Sequence, residues 1–334
     1  MGYMKRVAGY VLLSCTVILL FSPTVVAVDG LTIVTTSPGL ADDVNLIKCE
    51  SDRVYSLLPE TADPHEYSLK PSDLSMLRQA DLLVSTAHTH FELEINELIS
   101  RGEINATLVE IPRIAGIRIL KNPATLTDNL HTPTYDPQNY VAFLRNVTEL
   151  MKRLNPSCSS VYETNYELLR SRVESLMNSK PNSMNMLVGI ATEPTVQYAV
   201  AWLGINVTKL LIPEEGLSPT PATVIEIENA VRNREVDVLI VVKGGEYSSY
   251  LINLGRSYHV PVIEVLPPYM NGSTIDKLVH VLVQYAGLQN TETLGGVFDL
   301  PNTTSVTHAV SELIILLLLI VTIISYIISD GGRG

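Results

Sequence analysis

The stretch "VYSLLPETADPHEYSLKPSDLSMLRQADLLVSTA", residues 54–87, decides the architecture. It opens on an apolar, strand-like run and passes through a loop holding Pro59, Pro64 and His65. A helix pattern, "SDLSMLRQA", follows with Ser72 as the expected N-cap, and the stretch returns to an apolar strand, "DLLVSTA". Strand, helix, strand is the unit of a parallel sheet, because two parallel neighbours need a crossover and a helix supplies it. His65 therefore stands in the loop leaving the carboxyl end of a strand, where open α/β sheets bind ligands. A turn residue, a solvated side chain and a metal ligand are all compatible with one histidine at that place.

The same unit extends in both directions. "LTIVTTS", beginning at Leu31, is a strand and "GLADDVNLIKCE" a helix; after residue 87, "FELEINELIS" is a helix and "ATLVEIP" a fourth strand. "YVAFLRNVTELMKRL" is helical, "NPS" interrupts, and "SSVYETNYELLRSRVESLMNS", about Ser159 to Ser179, reads as one extended helix. The alternation then restarts. "MNMLVGIAT", "INVTKLLIP", "VDVLIVV" and "VPVIEV" are strands, interleaved with helices that include "PATVIEIENAVRN", capped by Thr220 with Pro221 in its first turn. The expected fold is α/β: two lobes, 28–155 and 183–288, each a parallel sheet flanked by helices, joined by one long backbone helix within 156–182.

Both ends are membrane-directed. Lys5 and Arg6 precede the apolar run "VLLSCTVILLF", and "TVVAVDG" offers cleavage after Ala27, so residues 1–27 are read as a signal peptide. "LIILLLLIVTIISYII", Leu313 to Ile328, is uncharged; sixteen helical residues span roughly 24 Å, close to a hydrocarbon core once flanking residues join. Residues 289–311 read as a polar stalk, 312–329 as a C-terminal transmembrane helix, and 330–334 as a cytoplasmic tail. The body would then be extracytoplasmic at the cell membrane. Sequons at Asn105, Asn146, Asn206, Asn271 and Asn302 agree with export. Beyond the signal segment the cysteines are Cys49 and Cys158, which an oxidising compartment would permit to pair. The net charge of -12 argues against a nucleic-acid partner.

Three residues stand at positions suited to a divalent ion: His65, His131 in "NLHTPTYDPQNY", and Glu193 directly after "MLVGIAT". Two imidazoles and a carboxylate suit Zn²⁺ or Mn²⁺. From Leu31 to about Gly287 the chain resembles the metal-binding receptors of ATP-binding-cassette importers for zinc and manganese, through "IVTTSPGLADDV" and the block "LLPETADPHEYSLKPSDLSMLRQADLLV". The resemblance implies His65 as first ligand, His131 as second and Glu193, five residues before Tyr198, as third. The family's usual Asp after the last strand has no counterpart in "VIEVLPPYMNG", which leaves Glu264, Glu246, Tyr269 or water for the fourth place. His88 and His90, in "STAHTHFELE", are expected to be supporting or surface residues, and His259 and His280 structural.

The implied function is a membrane-anchored receptor that captures Zn²⁺ or Mn²⁺ as transported ligand in the cleft between the lobes. It would hand the ion to the permease and ATPase of an importer, with no catalytic step of its own. A degenerate receptor or adhesin without metal is the alternative. An anchored metallohydrolase is a further one, although the chain holds neither H-E-x-x-H nor G-x-S-x-G.

Overall fold

The computed structural model describes residues 30–60, 62–181, 186–214 and 216–292. The expected signal peptide, transmembrane helix and tail lie outside the described residues, as does the stalk from residue 293 onward. Among the described residues no helix is long and apolar enough to cross a membrane.

The first sheet is built from β1 (Thr32–Thr35), β2 (Arg53–Ser56), β3 (Leu82–Ser85) and β4 (Thr107–Glu110), in the order β2-β1-β3-β4. The second has β5 (Leu187–Ala191), β6 (Ile205–Leu210), β7 (Val238–Val242) and β8 (Val262–Val265), in the order β6-β5-β7-β8. Every pair is parallel, as the strand–helix alternation requires. The two orders are the same topology, so β2 corresponds to β6, β1 to β5 and β3 to β7. Central strands β3 and β7 are buried at every residue, whereas the edge strands β2 and β6 alternate with exposed positions. That contrast is what covering a parallel sheet on both faces produces.

Helix α1 (Pro38–Asn45) follows β1, α2 (Pro71–Leu77) follows β2, and α3 (His90–Ser100) follows β3. The start of α2 differs from expectation: Lys70, not Ser72, is the N-cap, with Pro71 in the first turn. Asp73 Oδ2 accepts from Lys70 N and Tyr67 Oη, both at 2.8 Å, so a carboxylate one turn in does the capping.

Helix α4 (Pro137–Leu154) is capped by Asp136, whose side chain accepts from Gln138 N and Asn139 N. It buries Tyr140, Phe143, Leu144, Val147 and Met151 at helical spacing, each contributing about 1.5–3 kcal/mol of transfer free energy. Helix α5 (Ser159–Asn178) packs against α4 and buries Tyr162, Tyr166, Leu169, Val173 and Leu176, a narrow stripe at spacings of four and three. This is the expected linking helix. Its first half is tied to lobe 1 by the Cys49–Cys158 disulfide, by Tyr162 Oη donating to Asp52, and by Asn165 donating to Lys48 O. Beyond its far end, Lys180 donates to Trp202 O in lobe 2.

The second lobe adds α6 (Gln197–Ala201), α7 (Pro221–Arg232), α8 (Ser248–Tyr258) and α9 (Thr274–Glu292). Thr220 caps α7 ahead of Pro221, as expected, and α9 runs four residues into the segment expected to be stalk.

The lobes are held by more than the linking helix. One apolar cluster runs from Leu31 to Tyr285 through both of them. A segment between β4 and α4 lies against lobe 2: Asn129 donates to Pro194 O and Gln197 Oε1, Tyr198 Oη donates to Asn129 O, and Asn122 donates to Pro213 O. His131 is part of that segment.

Candidate metal centre

Three histidines meet in the cleft: His65, His88 and His131, with one candidate ligand nitrogen from each lying within 4.8 Å of the others. Ring centroids are 5.5 Å apart for His65–His88, 5.7 Å for His65–His131 and 4.8 Å for His88–His131. Nitrogens bound to a tetrahedral Zn²⁺ at 2.0–2.1 Å stand about 3.4 Å apart, so the triad closes on an ion with shifts of roughly 1 Å. Of the expected ligands, His65 and His131 are brought together. Glu193 sits at the end of β5, half-buried, outside this group among the described residues.

His88, expected in a supporting or surface role, belongs to the triad. His90 is exposed at the first position of α3. The reason is topological. β1 and β3 flank the point where the strand order reverses, the place where open α/β sheets bind ligands, and His88 leaves the carboxyl end of β3. The preceding Ala87 has φ +58°, a left-handed conformation that turns the chain there.

Each histidine is held by polar neighbours. His65 N donates to Asp63 Oδ1 at 2.8 Å, an Asx turn in the loop after β2. His131 N donates to Asn129 Oδ1 at 3.0 Å, and the same oxygen lies 3.1 Å from His131 Nδ1, which directs Nε2 away from Asn129. His88 Nδ1 lies 3.0 Å from Thr86 Oγ1 and 3.8 Å from the Glu92 carboxylate. Glu92 is buried and accepts from Thr36 Oγ1, Thr86 N, Thr89 N and Thr89 Oγ1. Burial alone would raise its pKa, but His88 and these donors hold it down to about 2. Carboxylate-supported imidazoles of this kind are a recurring feature of metal sites.

From lobe 2, Glu214 Oε1 stands 2.6 Å from His131 Nε2. The hydrogen bond with His131, together with the charges of His131, His65 and His88, holds its pKa below the usual carboxylate value against the opposing effect of burial. Glu214 is in the loop after β6 and was not singled out from the sequence. The signal available was topological: β6 occupies the place in its sheet that β2, the strand before His65, holds in the other. Of the residues considered for a fourth ligand, Glu264 lies 3.7 Å from Lys243 and Glu246 is exposed, while Tyr269 lines the cleft beside His88 and His131. A cavity of about 50 Å³ lined in part by His88, His131 and Tyr269 adjoins them, with room for a water or two rather than an organic solute.

These features define a class: a two-lobed α/β binding protein with a histidine-rich cleft. The profile of the family described as "Zinc-uptake complex component A periplasmic" matches residues 33–249, and the chain belongs to that family. It is 23% identical over 252 residues to the "Putative metal-binding protein" of Chlamydia trachomatis serovar D, covering 73% of this chain and 87% of the relative. Among solved structures it is similar to the solute-binding protein FpvC of Pseudomonas aeruginosa in complex with Mn²⁺. That match has a TM-score of 0.65 at 18% identity and covers 78% of this chain and 99% of FpvC. The periplasmic zinc-binding protein TroA of Treponema pallidum gives a TM-score of 0.63 at 17% identity, covering 78% and 99%. At these identities the structural likenesses establish the fold.

Proposed function

We propose that the protein is an extracytoplasmic receptor that takes a divalent metal ion, Zn²⁺ or Mn²⁺, into the cleft and delivers it to an ATP-binding-cassette importer. The observation that carries this reading is the convergence of His65, His88 and His131, three imidazoles from three separate loops. Imidazoles gathered around one point, two of them with Nδ1 against a protein oxygen, form a preorganised donor set for a borderline cation. Glu193, which the family resemblance implies as a ligand, is the donor expected from lobe 2. The C-terminal apolar run would tether the receptor to the membrane near its permease, raising its effective concentration there. No step of this function is catalytic, since the ion enters and leaves unchanged.

The test is calorimetric titration of the full-length protein with Zn²⁺ and with Mn²⁺. Wild type binds one ion. His65→Ala abolishes tight binding without loss of fold, because a loop ligand contributes little to the core, and His259→Ala binds as wild type does. Absence of binding of either metal to wild type would retire the receptor reading.

A further inference from the structure

We infer that the protein is N-glycosylated at Asn105 and Asn206, one site in each lobe, with both glycans at the ends of the sheets away from the cleft. This rests on the extracytoplasmic placement proposed above, because the sugar donor is a lipid-linked oligosaccharide presented outside the cytoplasm.

Four of the five sequons fall among the described residues, at Asn105, Asn146, Asn206 and Asn271, and the fold treats them differently. Transfer requires the asparagine amide and the hydroxyl two residues on to be offered together. In extended chain those two positions share a face. Asn206 is the second residue of β6; Asn206 and Thr208 are both exposed, while Val207 between them is buried. Asn105 leads into β4 with the same alternation: it is exposed, Ala106 is buried, and Thr107 is half-buried. The other two sequons fail this condition. Asn146 and Thr148 lie in α4, about 200° apart around the helix, and Thr148 is buried. At Asn271 the hydroxyl is committed: Ser273 is buried and its Oγ donates to Asp276 Oδ2 at 2.5 Å, while Gly272 N donates to Asp42 Oδ2 at 2.6 Å. Thr208 Oγ1, by contrast, makes a long 3.3 Å bond to Gly189 O.

Topology sets both acceptors apart from the metal centre. Every strand pair is parallel, so each sheet has one amino end and one carboxyl end. Asn105 stands at the amino end of the first sheet, opposite the loops that carry His65 and His88, and Asn206 at the amino end of the second, opposite Glu193. β4 and β6 are also edge strands of their sheets, where a bulky polar group hinders pairing with another chain. The reaction is a substitution at the anomeric carbon of the first sugar. The asparagine side-chain nitrogen forms a bond to that carbon, and the bond from the carbon to the lipid-phosphate oxygen breaks. The electron pair leaves on the phosphate, and the nitrogen gives up one proton to a base of the transferring enzyme.

The experiment is peptide mass spectrometry of the full-length protein purified from its own membranes, beside treatment of intact cells with an external protease. Peptides holding Asn105 and Asn206 are expected to carry the mass of one glycan each, and those holding Asn146 and Asn271 the mass of the bare chain. Thr208→Ala should strip the glycan from Asn206 although the asparagine is intact, and Thr208→Ser should keep it. The double variant Asn105→Gln, Asn206→Gln should bind Zn²⁺ as wild type does; weakened binding would overturn the placement of the glycans away from the cleft. Bare Asn105 and Asn206 in a body that the external protease cuts would overturn the assignment while the receptor stands. A glycan on Asn146 in place of these two would overturn it as well. A body sealed from the protease would remove the glycan sites and the extracytoplasmic reading together.

Discussion

At the scale of single residues the histidine triad is kept in shape by the polar groups packed around it. Glu92 anchors Thr36, Thr86 and Thr89 around the base of His88. Glu92→Gln replaces one acceptor oxygen with a donor facing donors. Zn²⁺ affinity should fall about 10–100-fold, with stability lowered by about 1–3 kcal/mol, read by titration and by urea unfolding respectively. Two non-glycine residues with positive φ adjoin the triad: Ala87 at +58° before His88 and Thr132 at +51° after His131. Such conformations cost of order 1–3 kcal/mol and persist where the surroundings enforce them. Ala87→Gly removes the Cβ penalty, so thermal unfolding should shift upward by about 1 kcal/mol or stay level, with the metal site unchanged. A clear loss of stability would show that Ala87 is not strained.

At the scale of elements the linking helix α5 belongs mainly to lobe 1. Asp52 accepts from Leu31 N, Cys49 N and Tyr162 Oη, joining the start of β1 to the helix beside the Cys49–Cys158 bond. The disulfide closes a sequence separation of 109 residues, for which chain entropy suggests about 4–5 kcal/mol of stabilisation. The double variant Cys49→Ser, Cys158→Ser should therefore unfold at markedly lower urea concentration yet bind metal as wild type does. The bridge lies at the start of α5, whereas the histidine triad comes from the loops after β2 and β3 and the segment between β4 and α4. A large drop in affinity would place the disulfide in the control of the cleft instead.

Across the whole molecule the lobes are joined by buried polar groups as well as by the common core. Asp43 of α1 accepts from Thr274 N and Thr274 Oγ1 of lobe 2 and from Tyr140 Oη of its own lobe, while Lys277 of α9 donates within lobe 2 to Pro268 O and Met270 O. Burial raises the Asp43 pKa to about 6, against the lowering effect of these hydrogen bonds, and burial lowers that of Lys277 to about 8. For Asp43 the folded state binds its proton more tightly than the unfolded chain, whose pKa is near 3.8. Its contribution is thus fully present below that value and lost as pH rises through about 6. Lys277 acts oppositely at the alkaline end, its penalty easing as pH rises from about 8. Urea titrations across pH 4 to 7 should show a declining term in wild type that Asp43→Asn lacks, whatever its own absolute stability. An identical pH slope in both proteins would rule out Asp43 as its source.

The amino-acid sequence by itself determined the eight strands and their parallel arrangement, the long α5, the cap of α7, and the loops carrying His65 and His131. All of these follow from local periodicity, turn chemistry and the loop positions that parallel topology assigns. It misplaced the cap of α2, where Asp73, reaching back one turn, prevailed over the nearer serine. Only the tertiary structure decided which side chains share a point in space. His88 joins the triad because β3 lies at the reversal of strand order, after a left-handed turn that no spacing encodes. Glu214 reaches His131 because a segment of lobe 1 is hydrogen-bonded across lobe 2. Contacts between residues 83 positions apart depend on how two sheets are set against each other, and that setting is the product of the whole packed core rather than of any stretch of chain.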